Sequence, residues 1–330
     1  MPTIGITGPR ATSGPEGNRI TAVRWAQCLR TLGCNVVAWP RPEPVPLDAL
    51  IALHAHKSHD QVLHYRRSGG RAPLIVACTG TDLYRGDGLT DRSLATLGHA
   101  AAIVVLQPNA LEELPPQLRG KAKVIYQSVR VLRQRPTPPP DRFEVCVIAN
   151  LRAVKDPLLP ARATQLLRAE SRLHITLYGD TLDPILGRAC RSEAERNPRF
   201  HWAGPKPHDE TLAGLAGSHL LVSPSRVEGG SNVVSEALAH DVPVLATAIR
   251  GTLGLLGEDH PGTFPVGDWR GLASRLEHLE RHSEALEELR EAGAKRAWIT
   301  SPTLERASWA ELLDVVLAKR QDVRGARPWT

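Results

Sequence analysis

Short runs of consecutive apolar residues punctuate the first half of the chain at residues 3–7, 36–39, 50–54, 74–79, 103–106 and 124–127. They lack the one-in-two alternation of a half-exposed strand, so they predict strands buried on both faces. Helical or loop segments separate them. In the first of these, Ile20, Val23, Trp25, Ala26, Leu29 and Leu32 recur at roughly helical spacing and Gly33 stops the pattern. From residue 143 the rhythm restarts, with strands predicted at 143–149, 174–178, 200–203, 220–223, 242–246 and 263–266 and helical patterns at 158–169 and 211–215. One long charged helix is predicted over 272–299, and a last helix over 303–320 with Leu304, Trp309, Leu312, Leu313, Val316 and Leu317 as its stripe.

Buried strands joined by helices predict parallel sheets covered on both faces, an α/β protein. The stretch RQRPTPPPDR at 133–142 carries four prolines and little that packs, and reads as a semi-rigid linker. The expected organisation is a Rossmann-like domain at 1–135, a second at 136–302, a C-terminal helix at 303–320 that returns to the first domain, and a tail at 321–330. A chain of 330 residues accommodates two such domains, and 42% hydrophobic residues supply a core for each.

A net charge of +6 is carried mostly by scattered arginines. No block of like charges and no basic strip interleaved with aromatics occurs, which argues against nucleic acid and for small anions as ligands. Cys28, Cys34, Cys78, Cys146 and Cys190 are odd in number and show no C-x-x-C spacing, so neither a disulfide framework nor a zinc site is expected. The N-terminus lacks a signal-peptide pattern and no apolar stretch reaches membrane-span length. A cytoplasmic protein without a membrane partner is expected; its oligomeric state is left open.

The chemistry concentrates in residues 223–238, SPSRVEGGSNVVSEAL. A predicted strand ends there, Gly229 and Gly230 make a turn, and Ser231 or Asn232 caps a helix whose first amides and dipole favour an anion, most simply a phosphate. Glu228 and Glu236 lie eight apart. Carboxylates beside a phosphate are unfavourable unless they bind hydroxyls, as those of a sugar and a ribose. In the first half, polar groups gather where strands are predicted to end: HAHKS at 54–58, TGTDLYR at 79–85, and Gln127 with Ser128. In parallel sheets such ends are where ligands bind.

Two halves of this kind, the proline-rich hinge, EGGSNVVSEA at 228–237, LYGD at 177–180, WAGP at 202–205 with His208, PSRVEGG at 224–230 and DVPVLATAIRG at 241–251 resemble the retaining GT-B glycosyltransferases of the E-x7-E class. The likeness runs over nearly the whole chain. More narrowly, the opening loop, ALHAHKS at 52–58, TGTDLYR, LQ at 106–107, VIYQS at 124–128 and LRAVKDPL at 151–158 are similar to the selenosugar synthases of bacterial selenoneine biosynthesis. The resemblance implies a GT-B fold, two Rossmann-like domains facing a central cleft. It implies transfer of the glycosyl group of UDP-N-acetylglucosamine or UDP-glucose to selenophosphate, with release of UDP and formation of a 1-selenosugar.

Carried over to this chain, Glu228 supports the sugar and its developing positive charge, Glu236 holds the ribose, and the amides of Gly229, Gly230, Ser231 and Asn232 meet sugar and phosphates. Lys155 is the diphosphate lysine. Asn150 stands where the class places an arginine, and Arg152, two positions on, is the candidate to replace it. His56 matches the second histidine of an H-x-H that reaches the donor sugar. For the acceptor's phosphoryl oxygens the candidates are Arg10, Arg19, Lys57 and Arg85, with the Thr79, Gly80 and Thr81 amides and Asp82 beside them. No D-x-D motif stands in the expected setting, so no metal and no cofactor beyond the two substrates is expected. Three alternatives remain: an ordinary hydroxyl acceptor with Asp82 or His56 as base, a UDP-sugar 2-epimerase, and a nucleotide-sugar sensor without turnover.

Overall fold

The computed structural model describes residues 1–8, 17–40, 45–84, 86 and 88–325, with side chains through residue 318. The chain divides into two compact units, residues 1–127 with 302–330, and residues 128–301.

In the first unit β1 (Thr3–Thr7), α1 (Gly17–Thr31), β2 (Asn35–Ala38), β3 (Ala49–Leu53), α2 (His59–Arg67), β4 (Leu74–Cys78), α3 (Asp91–Gly98), β5 (Ala102–Val105), α4 (Pro116–Arg119) and β6 (Ala122–Val124) follow one another. The six strands form one sheet in the order β2-β1-β3-β4-β5-β6, with parallel pairs throughout. The unbroken apolar runs are explained by burial on both faces. Along β3, Ala49, Ile51 and Leu53 enter one core cluster while Leu50 and Ala52 enter the other. The predicted strand at 124–127 is displaced: the ladder pairs Ala122 to Val124 with β5, and the chain leaves this edge strand at Ile125.

The second unit contains β7 (Phe143–Ile148), α5 (Leu159–Ala163), β8 (Leu173–Tyr178), α6 (Pro184–Arg196), β9 (Phe200–Gly204), α7 (His208–Ala216), β10 (Leu220–Ser223), α8 (Asn232–Ala239), β11 (Val244–Thr247), α9 (Arg250–Leu256), β12 (Thr263–Phe264), α10 (Trp269–Arg281) and α11 (Ser283–Ala294). Its sheet runs β12-β11-β10-β7-β8-β9, again parallel throughout. Three sequence expectations change here. The single helix over 272–299 is broken, because His282 takes an extended backbone (φ −125°, ψ 94°) and a new helix starts at Ser283. The helix over 158–169 shortens to α5 and a 3-10 turn at Thr164–Leu166. The strand over 263–266 stops at Phe264, since Pro265 cannot continue a ladder.

The proline-rich stretch is tied to the second unit. Just before it, the Leu132 amide donates to His240 Nε2 at 3.1 Å, and within it Arg135 lies 4.0 Å from Asp241. The final helix, α12 (Pro302–Gly325), extends past the predicted end at 320, and residues 326–330 lie outside those described. Its buried Trp309, Leu312, Leu313 and Val316 join the α1 side of the first unit's core, with the Trp25 and Trp309 rings edge to face at 4.8 Å. The class expected from the resemblance, α/β with two parallel sheets, is the one observed. No helix among the described residues is long and apolar enough to cross a membrane.

Candidate functional site

In the second unit the strand order reverses between β10 and β7, and the crevice beyond the C-terminal ends of such a pair is where doubly wound sheets bind ligands. Both expected catalytic groups of this unit arrive there. The loop after β7 makes a 3-10 turn, Ala153–Lys155, and the loop after β10 carries Glu228. Lys155 Nζ meets Glu228 Oε1 at 2.5 Å, and Ser225 Oγ donates to the same oxygen at 2.7 Å. The Glu228 side chain is only 12% exposed, so its charge sits largely out of water beside the ammonium that balances it.

Asn150 is held differently from the arginine whose place it takes: its Oδ1 accepts the Asp180 amide at 2.9 Å, joining the end of β7 to the end of β8. Arg152 is half-buried and its carbonyl accepts the Lys155 amide at 2.9 Å. Gly229 is buried and Gly230 half-buried ahead of α8, where Ser231 is the N-cap, its side chain accepting from Val234 N at 3.5 Å. Asn232 opens the helix. Glu236 is buried one turn further on, with His208 Nε2 of α7 3.6 Å from its carboxylate. His240 Nδ1 pairs with the Glu236 carbonyl at 2.8 Å while Nε2 accepts from Leu132 N, so the proton sits on Nδ1. Burial holds this imidazole below its ordinary pKa.

In the first unit the order reverses between β1 and β3, and the residues following β3 line a pocket of about 290 Å³. His54, His56, Lys57, Thr81, Thr90 and Ser93 contribute to its wall. His54 is buried in the left-handed backbone region, φ 72°. Its Nδ1 accepts the Lys57 amide at 3.3 Å, so its Nε2 carries the proton and donates to Thr81 Oγ1 at 2.8 Å. Burial lowers its pKa, against the pull of Asp82, and the 3.8 Å contact between the two is therefore one of a neutral ring. His56 Nδ1 contacts Thr90 Oγ1, the N-cap of α3, at 2.9 Å. Lys57 is exposed.

Asp82 changes role. Its buried carboxylate accepts Ala55 N at 2.9 Å, Thr79 N at 3.0 Å and Gly80 N at 2.7 Å. It is a clasp between the loops after β3 and β4, and it already uses the Thr79 and Gly80 amides that sequence reasoning assigned to the acceptor. Arg19 is exposed on the first turn of α1, whereas Arg10 and Arg85 lie outside the described residues.

Sequence reasoning also missed residues that shape the second site. A Cβ on Gly251 of α9 would lie 2.0 Å from the Glu228 carbonyl oxygen, and one on Gly179 would lie 2.0 Å from that of Ala149. DVPVLATAIRG and LYGD therefore contain glycines that let backbones touch. Arg226, which pairs with Asp156 at 2.6 Å, carried no sequence signal beyond its place in PSRVEGG. The cysteines are all free; burial pushes the Cys28 thiol up to about 11 and that of Cys190 to about 12, which leaves them poor nucleophiles. Among the described residues no group of three or more His, Cys, Asp or Glu could hold a metal ion.

Comparison with known proteins adds the family. A model of the family described as glycosyl transferases group 1 matches residues 129–296. Over 117 residues the chain is 28% identical to "Glycosyltransferase 1 domain-containing protein 1" of Xenopus tropicalis, a match covering 35% of this chain and 34% of that protein. The chain thus spans about a third of the length of that curated relative. Among solved structures, a sucrose-phosphate synthase from Thermosynechococcus elongatus is similar with a TM-score of 0.75 at 16% identity, over 99% of this chain and 100% of that one. Alr3699/HepE of Anabaena in complex with UDP gives 0.73 at 15% identity, over 95% and 100%. The same protein with UDP-glucose gives 0.71 at 15%, over 97% and 100%. At these identities the likeness is one of fold.

Proposed function

Because the chain belongs to the group 1 glycosyl transferases, we propose that it transfers the glycosyl group of a UDP-sugar, UDP-N-acetylglucosamine or UDP-glucose, to selenophosphate. The observation that carries the donor half is the convergence of Lys155, Ser225 and Glu228 where the strand order of the second unit reverses. Solved neighbours bound to UDP and UDP-glucose support the choice of nucleotide. In this reading the donor's diphosphate draws Lys155 from Glu228, the amides ahead of α8 meet the phosphates, and Glu236 binds the ribose.

The bond from the anomeric carbon to the phosphate oxygen breaks and its electron pair leaves with UDP. A selenium lone pair forms the new C–Se bond, giving a glycosyl selenophosphate, and attack of water on its phosphorus then breaks the Se–P bond, releasing inorganic phosphate and leaving the selenosugar. Fixed cations and amides at the leaving oxygens stabilise the charge as it develops, each donor contributing on the order of 3 kcal/mol. Selenophosphate is already anionic, so no proton has to be removed from it. That fits a first unit whose Asp82 is occupied by three amides and is not placed to act as base. Lys57 and Thr81, on the wall of the 290 Å³ pocket, are the candidates for the phosphoryl oxygens. The donor site needs no metal in this scheme, and the product is a selenosugar of the kind selenoneine biosynthesis consumes.

The test is mass spectrometry of the purified protein with each UDP-sugar and selenophosphate, with thiophosphate, alcohol acceptors and no acceptor as separate arms. A selenosugar and UDP in equal amounts is the expected result. Transfer to alcohols with none to selenophosphate would replace the acceptor assignment while keeping the donor. A changed sugar with no acceptor present would point to epimerisation.

A further inference from the structure

We propose that Asp156 and Arg226 form a positioning clasp that sets the Lys155 ammonium against the Glu228 carboxylate. The inference rests on reading Lys155 and Glu228 as donor-site groups. The strands that deliver them, β7 and β10, pair through Leu220 with Val145 and Leu221 with Cys146, below the loops that carry the chemistry. Beyond those pairs the two loops need ties of their own.

Arg226 supplies two of them. Its backbone amide donates to the Val154 carbonyl at 2.8 Å, and its Nη2 donates to Asp156 Oδ2 at 2.6 Å. Val154 and Asp156 are the residues on either side of Lys155, so one arginine grips both flanks of the lysine. Glu228 is two positions beyond that arginine. Asp156 holds the left-handed backbone conformation, φ 42° and ψ 49°, which closes the turn and which aspartate tolerates better than most residues with a Cβ. From behind, the Glu228 loop is fixed independently: Thr247 Oγ1 donates to the Ser225 carbonyl, and Gly251 packs against the Glu228 backbone. The clasp therefore acts chiefly on the Lys155 side.

The Arg226 side chain is 51% exposed, and an ion pair so open to water adds little to global stability. Displacing a catalytic group by about 1 Å, in contrast, can cost about a hundredfold in rate. Loss of the pair is thus expected to appear in turnover and in local order rather than in melting.

The experiment compares Arg226→Ala and Asp156→Ala with the conservative Arg226→Lys and Asp156→Asn, the asparagine keeping both the left-handed turn and an Oδ1 acceptor. Backbone hydrogen exchange over residues 150–157 is measured without substrate, and UDP release is followed with the donor that the wild type uses. In both alanine variants exchange over 150–157 is expected to rise about tenfold or more. Their kcat should fall about 10- to 100-fold with donor KM within about threefold, and the conservative variants should recover most of it. Unchanged exchange in both alanine variants overturns the clasp. So does a kcat loss that merely tracks the melting temperature and is not rescued. If the wild type uses no UDP-sugar, the donor reading fails, and the exchange measurement still decides the clasp.

Discussion

Lys155 and Glu228 hold each other at 2.5 Å with Ser225 on the same carboxylate oxygen, in a crevice where each has lost much of its water. Replacing either group leaves the other charge partly buried and unmatched, and also removes it from the proposed reaction centre. Lys155→Ala and Glu228→Gln are each expected to lower UDP release by on the order of 10²- to 10³-fold, measured at saturating donor. A loss under threefold in both would remove them from the reaction centre. His260 carries a different consequence. Burial takes its imidazole down to about 4, and its Nδ1 accepts the Gly262 amide at 3.1 Å. The folded pKa lies below the unfolded value, so the unfolded chain binds the proton more readily in between. His260 therefore contributes fully above about pH 6.5, and its contribution is lost as the pH falls toward 4, by up to about 3 kcal/mol. Chemical denaturation between pH 7.5 and 4.5 checks this, and His260→Asn, which keeps an acceptor for Gly262, should flatten the acid limb.

The elements around the site work as stops as much as carriers. Helix α9 approaches the Glu228 loop so closely that Gly251 has no room for a methyl group, its Cβ falling 2.0 Å from a backbone oxygen. Gly251→Ala must push that loop, and with it Glu228. It is expected to cost about 1–3 kcal/mol in stability and at least about tenfold in kcat, read by denaturant melts and steady-state kinetics. The loops after β3 and β4 are joined in a similar way by Asp82, whose carboxylate closes on three amides. The motif stretches that carry these elements were legible because their signals are local: a strand run, two glycines, a capping serine, acids eight apart. Asp82 was not, because an aspartate at a strand end reads equally as a base or as a clasp until the amides around it are placed. The same holds for Arg226, which gains a role only from a loop some seventy residues earlier.

For the whole molecule the proposal divides labour between two units, donor chemistry in residues 128–301 and acceptor selection in the unit built from 1–127 and 302–330. Lys57 is exposed and lines the first unit's pocket, where the proposal places the acceptor. Lys57→Gln is therefore expected to raise the KM for selenophosphate about tenfold or more while leaving the calorimetric affinity for UDP within about twofold. Equal losses of both would count against the division. The final helix belongs to the first unit through Trp309 and its neighbours in that unit's core, so the chain returns to where it began after completing the second sheet.

The apolar periodicity of this chain was enough to place nearly every strand, because a parallel strand buried on both faces has to be apolar at consecutive positions. Helix ends, the break at His282 and the short edge strands escaped it, since they depend on single backbone angles and on which strand lies outermost. Residue order also sufficed for the glycine turn and the Ser231-capped helix start at 229–232, since both are local to a few consecutive residues. Which loops meet was a matter for the tertiary structure alone. Strand order brings the ends of β7 and β10 side by side, and only then do Lys155 and Glu228, Asp156 and Arg226, or Gly251 and the Glu228 backbone become neighbours.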